Sequence, residues 1–194
     1  MIRIGISGVP STGKTTLARH VALACRSIPG LSNVELVSEY ARQYLSKHGS
    51  IETVWEQYGI LDKQLAWEDT LTDKLDLMVT DSPIFLSFLY STRLRNHSKV
   101  KDNIAYTDIF KKLLKLNEEY RYDIIFHLPP VIKLVDDGVR GQVSDEERII
   151  DDRFIRSLFD IFPPKHFVVI DDTDMDKRIE HCVNEISKLI KKGA

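Results

Sequence analysis

Short apolar runs alternate with longer amphipathic stretches from one end of this chain to the other. Ile2 to Ser7 is rich in β-branched residues and stops at Gly8, which predicts a buried first strand. Lys14 to Arg26 places Leu17, Val21 and Ala24 on one helical face and runs out at Pro29-Gly30. Val34 to Ser38 predicts a second strand, and Tyr40 to Lys47 a helix that ends at Gly49. Ile51 to Lys74 reads as a long amphipathic helix whose stripe is Ile51, Trp55, Tyr58, Leu61 and Leu65. Leu77 to Thr80 is a third strand ending on Asp81, followed by helices at Ile84 to Arg95 and Ile104 to Tyr120. Asp123 to Leu128 and Phe167 to Ile170 complete the strands. A polar segment from Pro129 to Glu147 and a helix from Glu146 to Phe159 lie between these two strands, and a last helix spans Asp176 to Lys191.

Strands separated by helices imply βαβ units, hence an α/β fold with a parallel sheet covered on both faces. In such sheets ligands collect at the carboxyl ends of the strands. The chain has 194 residues, without internal repeats or Pro/Gly-rich linkers, and is read as a single domain over residues 1–194. Its composition is 43% hydrophobic and 29% charged with a net charge of −2, so no global charge announces a polyanion or a membrane surface. Cys25 and Cys182 stand far apart with no metal-ligand spacing, which argues against zinc or a disulfide framework and fits a reducing cytoplasm. No run approaches the roughly 20 apolar residues of a membrane span.

The candidate chemistry begins between the first strand and helix. Gly8, Val9, Pro10, Ser11, Thr12, Gly13, Lys14, Thr15 and Thr16 form a G-x-x-x-x-G-K-T phosphate loop in the strand–loop–helix context that confirms it. Glycines let backbone N–H groups wrap phosphate oxygens without Cβ collisions, and the helix presents its positive end to the same anion. Lys14 is expected on the β/γ oxygens of ATP and Thr15 on Mg²⁺. Asp81, a carboxylate closing an apolar strand, is expected to hold the same metal, and it also suits a cap for the helix after Ser82-Pro83. Glu39 closes the second strand in the same way, with Arg42 three residues on. It can take the proton of an attacking hydroxyl, or the two residues can form an ordinary surface pair.

Taken together, these motifs resemble the ribosylnicotinamide kinase domain of bacterial bifunctional NAD-repressor proteins, and more loosely deoxynucleoside and thymidylate kinases. The shared features are the phosphate loop, Glu39-Tyr40-x-Arg42, Gln64, Asp81, and Val135-Asp136-Asp137-Gly138-Val139-Arg140 followed by Arg148. The resemblance implies a P-loop three-layer sandwich with a five-stranded parallel sheet and a lid at about residues 129–148. It further implies Glu39 as catalytic base or acceptor ligand, and Arg42 and Gln64 as substrate-binding residues. Arg140 and Arg148 are implied as lid arginines that neutralise the transferring phosphoryl group. A solvated charged loop is the plainer reading of that segment, and Ser144 with Glu147 reads as a capping box.

Trp55, Tyr58 and Trp67 suit either core packing or a base-stacking wall, and Gln57 joins Gln64 as a candidate for a base edge. Arg93, Arg95, His97, Lys99, Lys101, Lys111, Lys112 and Lys115 make a basic stretch that is either a solvated face or a track for a DNA backbone. The second option matters because phage 5-hydroxymethyluracil DNA kinases are also similar to this chain. The expected acceptor is therefore a hydroxyl on a nucleoside-type molecule, free or within DNA, in the cytoplasm (of the host, for a phage protein). A homodimer is left open, and a nucleotide-dependent regulatory ATPase is the rival class.

Overall fold

Each strand of the sheet packs side chains on both faces, and that two-sidedness sets the layers. In the computed structural model, which describes residues 1–70, 75–96, 99–131 and 144–193, β1 (Ile2–Gly8) is central. It pairs with β3 (Leu77–Asp81) on one side and β4 (Ile124–Leu128) on the other. β2 (Val34–Val37) flanks β3 and β5 (His166–Val169) flanks β4, giving the order β2-β3-β1-β4-β5 with every pair parallel. The five-stranded parallel sheet is the one expected.

Alternation along the strands separates two cores. Ile4, Ile6, Leu77, Val79, Ile124 and Phe126 face α1 (Lys14–Cys25) and α7 (Met175–Gly193) in one cluster. Met78 and Ile125 face the opposite layer, built from α3 (Val54–Thr70), α4 (Leu86–Leu94), α5 (Val100–Leu116) and α6 (Asp145–Ile161). α2 (Tyr40–His48) has no fully buried residue and lies over the end of β2. Helices on both faces complete the three layers.

Several boundaries move for local reasons. α5 starts at Val100 and stops at Leu116, upstream of the expected span at both ends. The Asn117 N–H turns back to the carbonyls of Leu113 and Leu114, and Tyr120 at φ 54° breaks the helical path before β4. α4 starts late because Leu86, Ser87 and Phe88 first make tight i→i+3 bonds to Pro83, Ile84 and Phe85. The last four residues of the long predicted helix, 71–74, lie outside the described residues.

The stripe predicted for α3 needs correction. Trp55 is 44% exposed, whereas Val54, Gln57, Leu61, Gln64 and Glu68 are buried. Leu61 stays on the inward face, with Tyr58 and Leu65 packed against the same core, but Trp55 falls outside it and three polar side chains lie within it. A core-facing helix normally buries its apolar stripe. Here the polar groups are held by partners described below.

Gly5 sits where β1 meets the layer of α3–α6, and a Cβ there would lie 2.4 Å from Ile125 Cδ1 and 2.6 Å from Pro83 Cγ. Gly5→Ala is therefore expected to lower stability by about 1–3 kcal/mol through overpacking. The urea midpoint should fall without a change in slope, and an unchanged midpoint would show that the neighbours absorb the methyl group.

Candidate active site

The loop from Val9 to Gly13 joins β1 to α1, and the backbone at its two ends favours glycine. Gly8 has φ 145° and Gly13 φ 87°, and a Cβ on Gly8 would lie 2.5 Å from the Leu128 carbonyl oxygen. Ser11 also takes a positive φ of 60°. Inside the turn, the Thr12 hydroxyl donates to the Val9 carbonyl at 3.0 Å, and Lys14 Nζ donates to the same oxygen at 2.8 Å. Lys14 is buried with its ammonium folded over the loop, a placement whose desolvation an anion would offset. Pro10, Ser11 and Thr15 are half-buried and Thr16 is exposed on the first turn of α1.

Arg178 supports this loop from behind, a role that sequence reasoning did not assign. It is fully buried on α7, with Nη1 donating to the Thr12 carbonyl at 2.8 Å and Nε to the Asp172 carbonyl at 2.5 Å. Burial pulls its pKa below the ordinary arginine value. The signal was faint, one of two adjacent basic residues, Lys177 and Arg178, in the first turn of the last helix.

β1 and β3 are neighbours, so the start of α1 meets the end of β3. The Thr15 hydroxyl donates to Asp81 Oδ2 at 2.6 Å across 66 residues. Asp81 Oδ1 is buried with no hydrogen-bond partner among the described residues. A buried carboxylate oxygen beside a hydroxyl and a phosphate loop fits Mg²⁺, which is held by one or two carboxylates together with phosphate oxygens. Among the described residues no group of three or more His, Cys, Asp or Glu forms a self-sufficient metal cage.

Across from this pair, Glu39 is buried at the N-terminal end of α2. A cavity of about 650 Å³ joins the two sides, bordered by Thr15 and Asp81 at one wall and by Glu39, Arg42, Gln43 and Trp67 at another. Arg19 also lines it, and was missed. It stands four residues after Thr15 on the same helical face, which is the signal that would have found it. A small cleft of about 20 Å³, room for one water-sized group, adjoins Glu39 and is lined by Gln57, Gln64, Ser82 and Pro83. Gln64 is engaged within the protein: its Oε1 accepts from the Tyr40 N–H at 2.7 Å. Trp67 packs edge-on against Tyr40 with centroids 5.0 Å apart and borders the large cavity, whereas Trp55 is exposed and pairs with Tyr58.

The AAA domain family matches residues 3–178, most of the chain. The chain belongs to the AAA domain family. No curated protein matches it. Among solved structures it is similar to the NadR protein in complex with NR (TM-score 0.73, 21% identity, 96% of this chain and 51% of that one). It is also similar to deoxyadenosine kinase from M. mycoides with products bound (TM-score 0.59, 15% identity, 97% and 100% covered). Thymidylate kinase from Ehrlichia chaffeensis matches at TM-score 0.57 and 18% identity, with 98% of both chains covered. The fold of this AAA domain is thus that of P-loop nucleoside and nucleotide kinases, and the chain spans about half the length of the NadR chain it matches.

On the opposite flank of the loop, α6 opens with the expected capping box. The Glu147 N–H donates to the Ser144 hydroxyl, and the Ser144 N–H to the Glu147 carboxylate. Arg148 is buried in this first turn and bonds Asp145 at 2.8 Å. One turn on, Asp152 reaches His127 Nε2 at 2.8 Å and Arg156 at 2.9 Å. Arg93 on α4 bonds Asp151 at 2.5 Å, so α6 is fastened to both sheet and neighbour. Arg140 and the Asp136–Gly141 part of the expected lid lie outside the described residues. Within the basic stretch, Arg95 bonds Asn103 and covers the Tyr106 ring, and Lys112 bonds Asp62. His97 falls outside the described residues. No helix among the described residues is long and apolar enough to cross a membrane.

His127 lies fully buried at the end of β4, with Ser7 at 3.5 Å on its other nitrogen. Burial holds the imidazole below its ordinary value, against the pull of Asp152, so the fold favours the neutral ring. Burial also pushes the Asp152 carboxyl up, but bonds from His127 and Arg156 leave it below the usual range. An unfolded chain binds the histidine proton near pH 6.5. The folded ring resists it, so this contribution is complete above about pH 6.5 and is lost as pH falls toward the folded-state value. His127→Gln is expected to flatten the stability–pH curve just below about pH 6.5. Urea unfolding across that range checks it, and a curve parallel to wild type would remove the burial argument.

Proposed function

We propose that this AAA domain is a kinase that uses Mg²⁺·ATP to phosphorylate a hydroxyl on a nucleoside-type acceptor. The acceptor is a free nucleoside or nucleotide, ribosylnicotinamide among them, or 5-hydroxymethyluracil within DNA. One observation carries the reading: a single cavity touches both the Thr15–Asp81 pair and the buried Glu39 carboxylate. A hydroxyl held by Glu39 in that cavity lies on the same side as a phosphate chain seated in the loop. The kinase-like fold supports the reaction class.

Loop amides and Lys14 hold the phosphates, and Thr15 and Asp81 would hold Mg²⁺, which would neutralise oxygen charge on the β- and γ-phosphates. Glu39 orients the acceptor and takes its proton as the new O–P bond forms. The bond from the γ-phosphorus to the bridging oxygen breaks, and ADP leaves. Arg42 places positive charge on the acceptor side of the cavity, and Arg19 lines the cavity from the helix that carries Thr15. Arg148 and Arg140 stabilise the charge that spreads over the transferring group.

The direct test is transfer of label from γ-labelled ATP to ribosylnicotinamide, deoxynucleosides, nucleoside monophosphates and DNA containing 5-hydroxymethyluracil. ATP turnover that no acceptor accelerates or labels would instead fit a regulatory ATPase. Glu39→Gln is expected to lower kcat at least tenfold, on the order expected for a lost general base, while the Kd for Mg²⁺·AMP-PNP stays within twofold. Arg140→Ala is expected to do the same to kcat, about tenfold or more, as removal of a transition-state arginine does. Unchanged kcat in either variant would remove that residue from the chemistry.

A further inference from the structure

The polar inner face of α3 has a centre, Glu68. Its carboxylate is fully buried, within a layer otherwise filled by Leu61, Met78, Phe85 and Tyr122. Burying a charge in such a place is costly unless partners meet its lone pairs. Four contacts do so. Arg121 Nη2 donates to Oε2 at 3.0 Å, and the Tyr122 hydroxyl approaches Oε1 and Oε2 at 2.9 and 3.1 Å. The Thr80 hydroxyl donates to Oε1 at 3.3 Å.

The two hydroxyls are relays. Tyr122 accepts from the Ile84 N–H at 3.0 Å while donating to Glu68. Thr80 accepts from Gln64 Nε2 at 3.4 Å, and Gln64 Oε1 accepts from the Tyr40 N–H at 2.7 Å. Every bond in both arms points the same way, from a backbone N–H through a neutral relay to one anion, so each polarises the next. Burial raises the Tyr122 pKa well above its ordinary value, which keeps its hydroxyl a donor. Burial also raises the Glu68 carboxyl, with Arg121 acting the other way.

The ends of the arms matter more than the centre. Tyr40 adjoins Glu39, Thr80 adjoins Asp81, and Ile84 belongs to the Ser82–Ile84 turn that lines the small cleft beside Glu39. These segments come from β2–α2, β3 and the turn before α4, and no backbone ladder joins the first to the last.

We propose that Glu68 is a positioning residue: through Gln64–Thr80 and through Tyr122 it holds the acceptor-side carboxylate, the metal-side carboxylate and the cleft turn in one fixed arrangement. It touches neither nucleotide nor acceptor. The inference rests on the kinase reading for its consequence in catalysis but not for the coupling itself.

Glu68→Gln keeps the volume and replaces one acceptor oxygen with an NH₂ that faces donors. Amide hydrogen exchange is read at Tyr40 and Ile84, with Leu17 at the phosphate loop as reference. Exchange at Tyr40 and Ile84 is expected to quicken by about tenfold or more, with Leu17 within about twofold, as local rather than global opening requires. In transfer to ribosylnicotinamide and to 5-hydroxymethyluracil DNA, kcat/KM for the acceptor used is expected to fall about tenfold, with the Kd for Mg²⁺·AMP-PNP unchanged.

A uniform rise in exchange at all three amides, or intact kcat/KM beside a lowered Tm, would make Glu68 merely structural and overturn the proposal. If Glu68→Gln does not fold, Thr80→Val cuts one arm alone. It should quicken Tyr40 and leave Ile84 at the wild-type rate, and equal effects on both would equally overturn it. A wild-type protein that phosphorylates neither probe would sink the kinase reading, yet leave the exchange pattern to decide the coupling.

Discussion

The hydrogen bond from Thr15 to Asp81 is the contact on which the site depends, and it exists because β1 and β3 are parallel neighbours. Parallel pairing brings the carboxyl ends of adjacent strands to the same edge, so the phosphate loop after β1 and the carboxylate closing β3 must meet there. The same rule brings β2 to that edge, with Glu39 and α2 following it. A shift of the β1–β3 register by one residue would turn Asp81 toward the opposite face and separate it from Thr15.

Around that contact the protein uses buried polarity in two ways. On the loop side, Lys14 and Arg178 are desolvated against backbone carbonyls, which stiffens a turn whose glycine conformations offer little stiffness of their own. On the acceptor side, a carboxylate within the core gathers hydrogen bonds, directly or through Gln64, Thr80 and Tyr122, from the start of α2, the turn before α4 and the segment before β4. Apolar packing would hold those segments together but would not fix their angles, because dispersion contacts are not directional.

The flank formed by α6 differs in character. Beside its apolar packing through Ile155, Leu158 and Phe159, it is tied to β4 and α4 through carboxylates, Asp152 to His127 and Asp151 to Arg93. Those bonds depend on charge state, so this flank answers to pH in a way that the α1–α7 layer, packed through Leu17, Val21 and Ile186, does not.

The order of strands and helices, the phosphate loop and the carboxylates closing β2 and β3 were legible along the chain. Each is a local pattern: period-two or period-3.6 spacing, glycines at a forced turn, a charge ending an apolar run. The Ser144–Glu147 box was legible for the same reason. The inward face of α3 was legible only in part: hydropathy placed Leu61 there correctly and Trp55 wrongly, and gave no sign that Gln57, Gln64 and Glu68 are buried. A polar side chain is stable inside only when distant partners satisfy it, and Arg121 and Tyr122 lie more than fifty residues away in sequence. Arg178 behind the loop and Arg19 beside the cavity belong to the same class, their roles created by what packs against them. Local spacing writes the elements and the loop into the chain, and long-range packing chooses which polar groups are buried, because the cost of burying them depends on partners that only the folded chain brings near.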